Sequence, residues 1–135
     1  MNWYNSALQA AFDGSGVDLS TADVRVAFVD SGYTADLTDG GDEFLSDVKA
    51  AGTVLTTSDL SNVSWSNRVL DADDPTITDP GSGEATQAAV YIDTGTDSTS
   101  RLLGHTDTAS GLPLTFDGTT DNLTFNASGI LKLGS

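Results

Sequence analysis

Two kinds of apolar spacing divide the chain near residue 52. Before that point the spacing is partly helical. Trp3, Tyr4, Leu8, Ala11 and Phe12 recur at near-helical intervals and predict one short amphipathic helix over about 3–12, ended by Gly14 and Gly16. Val24 to Asp30 reads as the clearest strand, with Val24, Val26 and Phe28 on one face and Ser31-Gly32 as its break. Asp42 is placed to cap a second short helix over about 42–50, carrying Phe44, Leu45 and Val48 and ended by Ala51-Gly52. After residue 52 short apolar or alternating segments recur at intervals of about ten residues, separated by Asp, Gly, Ser and Pro. They run 54–57, 63–65, 68–70, 87–92, 100–103, 112–116, 122–125 and 129–133. The spacing predicts a mainly β protein, a sandwich or barrel-like single domain over residues 1–135 with two short helices. The longest expected loop is Asp71 to Glu84, and neither a domain linker nor a fixed-period repeat is visible.

Charge changes this picture more than any motif does. The sequence holds 18 Asp and two Glu against five Lys or Arg, a formal net charge of -15. Self-repulsion at that density opposes compaction, and molar salt removes it by cutting the screening length to about 3 Å. Asp rather than Glu keeps the carboxylates short and close to the backbone, where they hold water and cations. The chain therefore reads as adapted to high salt. Its hydrophobic content is 38%, so a lean core is expected, although the regular apolar runs argue against disorder.

Several function classes fall away on composition. Five scattered cations on an acidic body argue against nucleic-acid binding. No apolar run approaches the roughly 20 residues that span a bilayer, so no membrane insertion is expected. Met1-Asn2-Trp3-Tyr4 lacks the basic and apolar regions of a signal peptide. There is no cysteine, hence no disulfide, thiolate nucleophile or zinc–thiolate site.

The sharpest catalytic lure is a pair of aspartic-protease-like signatures, Phe28-Val29-Asp30-Ser31-Gly32 and Tyr91-Ile92-Asp93-Thr94-Gly95, with Leu102-Leu103-Gly104 as a third element. Asp30 and Asp93 sharing a proton would hydrolyse peptides, but only across a dimer, because the chain is too short for two lobes. The third element also follows the second Asp almost at once, unlike the long interval in such proteases. The competing reading is that Asp-Ser-Gly and Asp-Thr-Gly are strand-end turns. His105, the single histidine, has no nucleophile-elbow partner in Ser100 or Ser110 and reads as a polar strand-end residue. No catalytic residue is assigned.

Other candidates concern binding. Asp71, Asp73 and Asp74, with Asp79 nearby, supply oxygens for a hard cation (Ca, Mg, Na or K), although Pro75 and the missing glycine break the twelve-residue calcium-loop pattern. Asp36, Asp39, Asp42 and Glu43 form a second acidic group. No cofactor is required. Asn62, Asn122 and Asn126 begin glycosylation sequons, which matter only in a glycosylating host or its virus. Trp3, Tyr4, Trp65 and Tyr91 could form a carbohydrate platform. Trp3 and Tyr4 read better as an anchor of the N-terminal helix to the sheet or to a partner chain, and Trp3, Tyr4 and Leu8 together are the expected contact with a partner shell or with sister chains.

The order of segments resembles a family of small virion proteins of tailed phages and tailed viruses of archaea. The resemblance runs over residues 3 to 133. It is carried by the N-terminal helix leading into the stretch Val17 to Val29, Tyr33-Thr34-Ala35-Asp36 and Glu43 to Val48. Further along, it is carried by Val69 to Pro75, Ala89 to Thr96, Arg101 to Asp107 and Leu123 to Leu131. In that family the Asp-Thr-Gly after the Val-Tyr-Ile strand looks like a hairpin turn, and no catalytic residues carry over. The departure is acidity: Ile92 stands where a Lys is usual, and Asp replaces many neutral positions. The resemblance implies a non-enzymatic protein on the outer capsid surface of a tailed virus, as a decoration or turret, and the acidity implies a halophilic, archaeal host. Its partners would be the major capsid protein and copies of itself, as a trimer or pentamer. A tail, baseplate or host-adhesion part of the same virion is the alternative.

Overall fold

A computed structural model describes residues 1–14, 17–19, 22–119, 122–125 and 129–132. The described residues form a mainly β domain with two helices and antiparallel sheets. The elements are β1 (Asn2–Trp3), α1 (Asn5–Asp13), β2 (Asp23–Val29), α2 (Leu45–Ala51), β3 (Val54–Asp59) and β4 (Ser64–Ser66). Then come β5 (Val69–Asp71), β6 (Glu84–Ala85), β7 (Gln87–Asp93), β8 (Leu102–Thr106), β9 (Leu114–Thr115) and β10 (Leu131–Lys132). Five strands make the principal sheet in the order β1-β8-β7-β2-β3. The others form a three-stranded sheet, β10-β5-β4, and a β6-β9 pair.

Strand β2 lies between β7 and β3, so both of its edges are paired, and from Val26 to Val29 both of its faces are covered. Val24, Val26 and Phe28 join Ala88, Val90 and Leu103 on one face, covered by Leu70, Leu114, Phe116 and Leu131 of the smaller sheets and loops. Ala27 and Val29 join Ala89, Tyr91 and Leu102 on the other, covered by Tyr4, Tyr33 and the α2 residues Leu45 and Val48. The sheet is therefore the middle of three layers, as layered packing of amphipathic elements requires. Gly104 has no side chain because a Cβ there would stand 2.6 Å from Leu131. Small-sheet and large-sheet cores interlock at that point.

The first helix differs from expectation at its start. Trp3 is in a strand, paired with Gly104, and Tyr4 N–H donates to the Leu103 carbonyl at 3.0 Å. Ladder pairing holds this segment extended, so the helix begins only at Asn5. Gly14 ends it in the left-handed conformation, φ 79°, with its N–H on the Ala10 carbonyl. The second helix begins at Leu45, and Asp42 is not its cap. Asp47 accepts the N–H groups of Glu43 and Phe44 instead, at 2.9 and 3.0 Å, satisfying backbone donors at the helix entry. Asp42 is turned the other way, holding the Tyr33 hydroxyl and the Asp36 N–H. Of the expected segments, 122–125 forms no strand and makes a single bridge, Ser110 to Thr124.

Candidate interaction surface

An apolar groove of about 640 Å³ opens between α1 and β4. It is built by short-range logic. α1 presses its small residues Ser6, Ala7 and Ala10 against the body, which lets the helix lie close to the sheet edge. The large residues of the same helix are left outward: Leu8 is half-buried and Phe12 is 81% exposed. Across the groove β4 carries Trp65, 44% exposed and paired with Leu70 on β5. Trp3 forms the floor. Its indole N–H donates to the Lys132 carbonyl at 3.0 Å, and its ring meets Trp65 edge-on at 6.0 Å between centroids. Phe12 and Trp65 are the two large apolar side chains exposed among the described residues.

Of the three contact residues expected near the N-terminus, Trp3 and Leu8 line this groove. Tyr4 does not. It points into the core on the other face of the sheet, fully buried, with its hydroxyl 2.8 Å from that of Tyr33. Tyr33 in turn donates to Asp42 Oδ2 at 2.7 Å. Burial pushes both phenols well above their ordinary value, with Asp42 adding to the effect. His105 packs edge-on between the two tyrosine rings and meets Gln87 Oε1 through Nε2 at 2.7 Å. Gln87 then donates to the carbonyls of Asp30 and Tyr33. The network is a satisfied polar seam that ties loop 30–42 to the sheet. Tyr91 is also buried, so a platform of Trp3, Tyr4, Trp65 and Tyr91 does not form. Val63 also lines the groove, and nothing in the sequence pattern marks it or Phe12 as a contact residue. Phe12 sits in the same helical stripe as Leu8, and exposure rather than spacing distinguishes it.

The protease-like residues are turn-formers. Asp30 Oδ1 accepts the N–H groups of Gly32 and Thr53, and donation from Thr53 chiefly holds its carboxyl below the usual range. Asp93 accepts Gly95 N–H and pairs with Arg25 at 3.2 Å. Asp93 lies opposite Asp23 at one end of the β2–β7 pair, while Asp30 follows Val29 at the other. Six strand residues lie between them, about 23 Å along the strand, so one chain forms no carboxylate dyad. Ser100 is buried and spends its hydroxyl inside the β7–β8 loop, on the Thr96 carbonyl at 2.9 Å.

The expected cation cluster is likewise dispersed. Asp71 accepts Ala72 N–H, Asp73 accepts the Asn62 amide, Asp74 accepts Phe125 N–H, and Asp79 accepts Gly81 and Gly118 N–H. Short side chains beside a loop backbone find local N–H donors first. Among the described residues no three carboxylate or imidazole groups converge as metal ligands. Asp36, Asp39 and Asp42 are similarly engaged, with Thr38, with Asn5 and Gln9, and with Tyr33. Asn62 is exposed but holds Asp73, Asn122 is exposed, and Asn126 lies outside the described residues.

No protein-family model, no curated protein and no solved structure matches the chain. No helix among the described residues is long and apolar enough to cross a membrane.

Proposed function

We propose that the chain is a non-enzymatic structural protein that decorates the outer capsid surface of a tailed virus of a halophilic host. The observation that carries the reading is the groove between α1 and β4, where Phe12 and Trp65 stand in solvent on a chain of net charge -15. Exposed aromatics rimmed by polar surface mark sites of protein contact, because their burial supplies binding energy at low entropic cost. The segment resemblance supplies the setting, and the acidic composition supplies the host. In this reading the groove seats the capsid shell or sister copies in a trimer or pentamer, and the carboxylate-rich remainder faces brine. Ring-closing oligomers use such a patch on every copy.

Mass spectrometry of purified virions from the source tests the reading. The chain should be present at a copy number that tracks the major capsid protein. A copy number that tracks the tail proteins moves it to the tail or baseplate, and absence from the particle overturns it.

A further inference from the structure

A second opening lies along the free edge of β3. It holds about 350 Å³, and the seven residues that line it carry five hydroxyls and two carboxylates, the Thr57 hydroxyl being engaged with Tyr91. The backbone adds to that supply. Leu60 N–H is directed at β2, onto the Val24 carbonyl, whereas the Ser61 carbonyl is directed outward and accepts Asp73 N–H at 3.0 Å. Alternate residues of a strand address opposite edges. Thr57 and Asp59 are in phase with Ser61, so their backbone groups face the opening. Beyond the Ser61–Asp73 link, Asp74, Thr76 and Thr78 form the facing wall.

Ser58 is the anomaly at this place. It borders the opening and is 6% exposed, and its Oγ is the one buried side-chain polar atom without a hydrogen-bond partner among the described residues. An orphaned buried hydroxyl costs free energy unless something answers it. The two carboxylates exclude an anion as that partner. Apart from the Arg25 guanidinium on Asp59 Oδ1, the lining residues offer oxygens, with Asp74 as the carboxylate not countered by a cation, and oxygen donors match a hard cation. The volume also fits: a water occupies about 30 Å³, so an ion enters with several of its own waters.

We propose that the slot between the β3 edge and segment 74–78 is a hard-cation site. It would take Ca2+ or Na+ with part of its hydration shell, with Ser58 Oγ, Asp74 and the outward β3 backbone as the protein's share. This site does not depend on the proposed virion role. It differs from the dispersed cluster of Asp71, Asp73 and Asp79, sharing Asp74 with it. Asp74 keeps Oδ1 on Phe125 N–H at 2.7 Å, and Asp59 keeps Oδ1 on Arg25, so each carboxylate is already oriented. The ion would tie the long loop to the strand it covers.

The test is thermal melting in choline chloride at constant ionic strength, with CaCl2 titrated to about 10 mM in one arm and NaCl exchanged for choline in the other. The wild type should show a saturable rise in melting temperature in at least one arm, and that arm identifies the ion. Asp74→Asn keeps an oxygen for Phe125 N–H and should abolish the rise. Ser58→Ala removes the orphaned hydroxyl, so it should melt no lower than wild type without the ion, yet lose most of the response. Asp107→Asn, an exposed carboxylate elsewhere, should keep the full rise. Absence of a saturable rise in the wild type overturns the proposal, as does an equal rise in Asp74→Asn and Ser58→Ala, or its loss in Asp107→Asn.

Discussion

Helix α2 turns Leu45 and Val48 into the core and leaves Lys49 and Ala50 outside, whereas α1 buries Ser6, Ala7 and Ala10 and leaves Phe12 in solvent. The first arrangement is what folding alone demands of an amphipathic helix. The second gives up stability that burying Phe12 would supply, roughly 1.5–3 kcal/mol. α2 is also tied down at its entry: Leu45 and Ser46 donate N–H to the carbonyls of Ser100 and Asp97, and Lys49 pairs with Asp97 at 2.8 Å. α1 is tied at its entry too, with Asn5 N–H on the Leu37 carbonyl and Ser6 Oγ on the Asp42 carbonyl, but its outward face lines a groove with Trp65. One helix holds the fold, and the other presents a surface.

The largest effect should come from salt, which acts on both helices through the whole acidic body. Moving from about 1 M to about 0.1 M salt lengthens screening from about 3 to about 10 Å and restores repulsion among the carboxylates. Circular dichroism should show a large fall in melting temperature. A melting temperature unchanged over that range would contradict the halophilic reading.

Next in size is Leu45→Ala, which empties a site only 3% exposed. It should cost about 2–5 kcal/mol in denaturant unfolding at high salt. Phe12→Ser should move the same measurement by less than about 0.5 kcal/mol, because its side chain packs on little. If Phe12→Ser destabilised as much as Leu45→Ala, α1 would be a folding helix like α2, and the contrast would fail.

The smallest effect concerns the seam beneath the sheet. Burial holds the His105 imidazole below its ordinary value, against the opposing pull of Asp107 and Asp42. The unfolded chain therefore takes up this proton first as pH falls. The contribution is intact above the ordinary histidine range and declines as pH drops below about 6.5. Asp36 and Asp117 are held below the usual carboxylate value by the Thr38 and Thr119 hydroxyls, and Asp30 by backbone N–H groups. Their contribution is present above about pH 4 and is lost only below it. Unfolding of wild type at high salt should thus weaken modestly between pH 7 and 5, and His105→Gln should flatten that part of the profile.

Much of the fold was legible because strand burial leaves a period of two and turns need Gly, Asp and Ser. Val24 to Val29 and Gln87 to Ile92 are visible in the sequence almost to the ends of β2 and β7. β1 was not legible, since two residues carry no period, and Trp3 and Tyr4 happened to extend a helical stripe. The capping of α2 was not legible, because Asp42 and Asp47 are equally good acceptors in sequence and only packing shows that Asp47, in the first turn, answers the entry N–H groups. The groove was half legible. Trp3 and Leu8 stood out as apolar residues near the N-terminus, but Tyr4 falls on the opposite face of the sheet, and nothing in the spacing says that Phe12 stays outside. The edge slot of β3 was hidden for a different reason: in a chain with 18 Asp, a serine without a partner is visible only in three dimensions.

Hydroxyl-radical footprinting tests the central contrast most directly, by comparing the free chain at high salt with the chain in intact particles of its source. Phe12 and Trp65 should be readily oxidised in the free protein and strongly protected in the particle, while the already buried Leu45 and Val48 of α2 stay unreactive in both. Equal oxidation of Phe12 and Trp65 in the two states would contradict the assignment of α1 as the presenting helix.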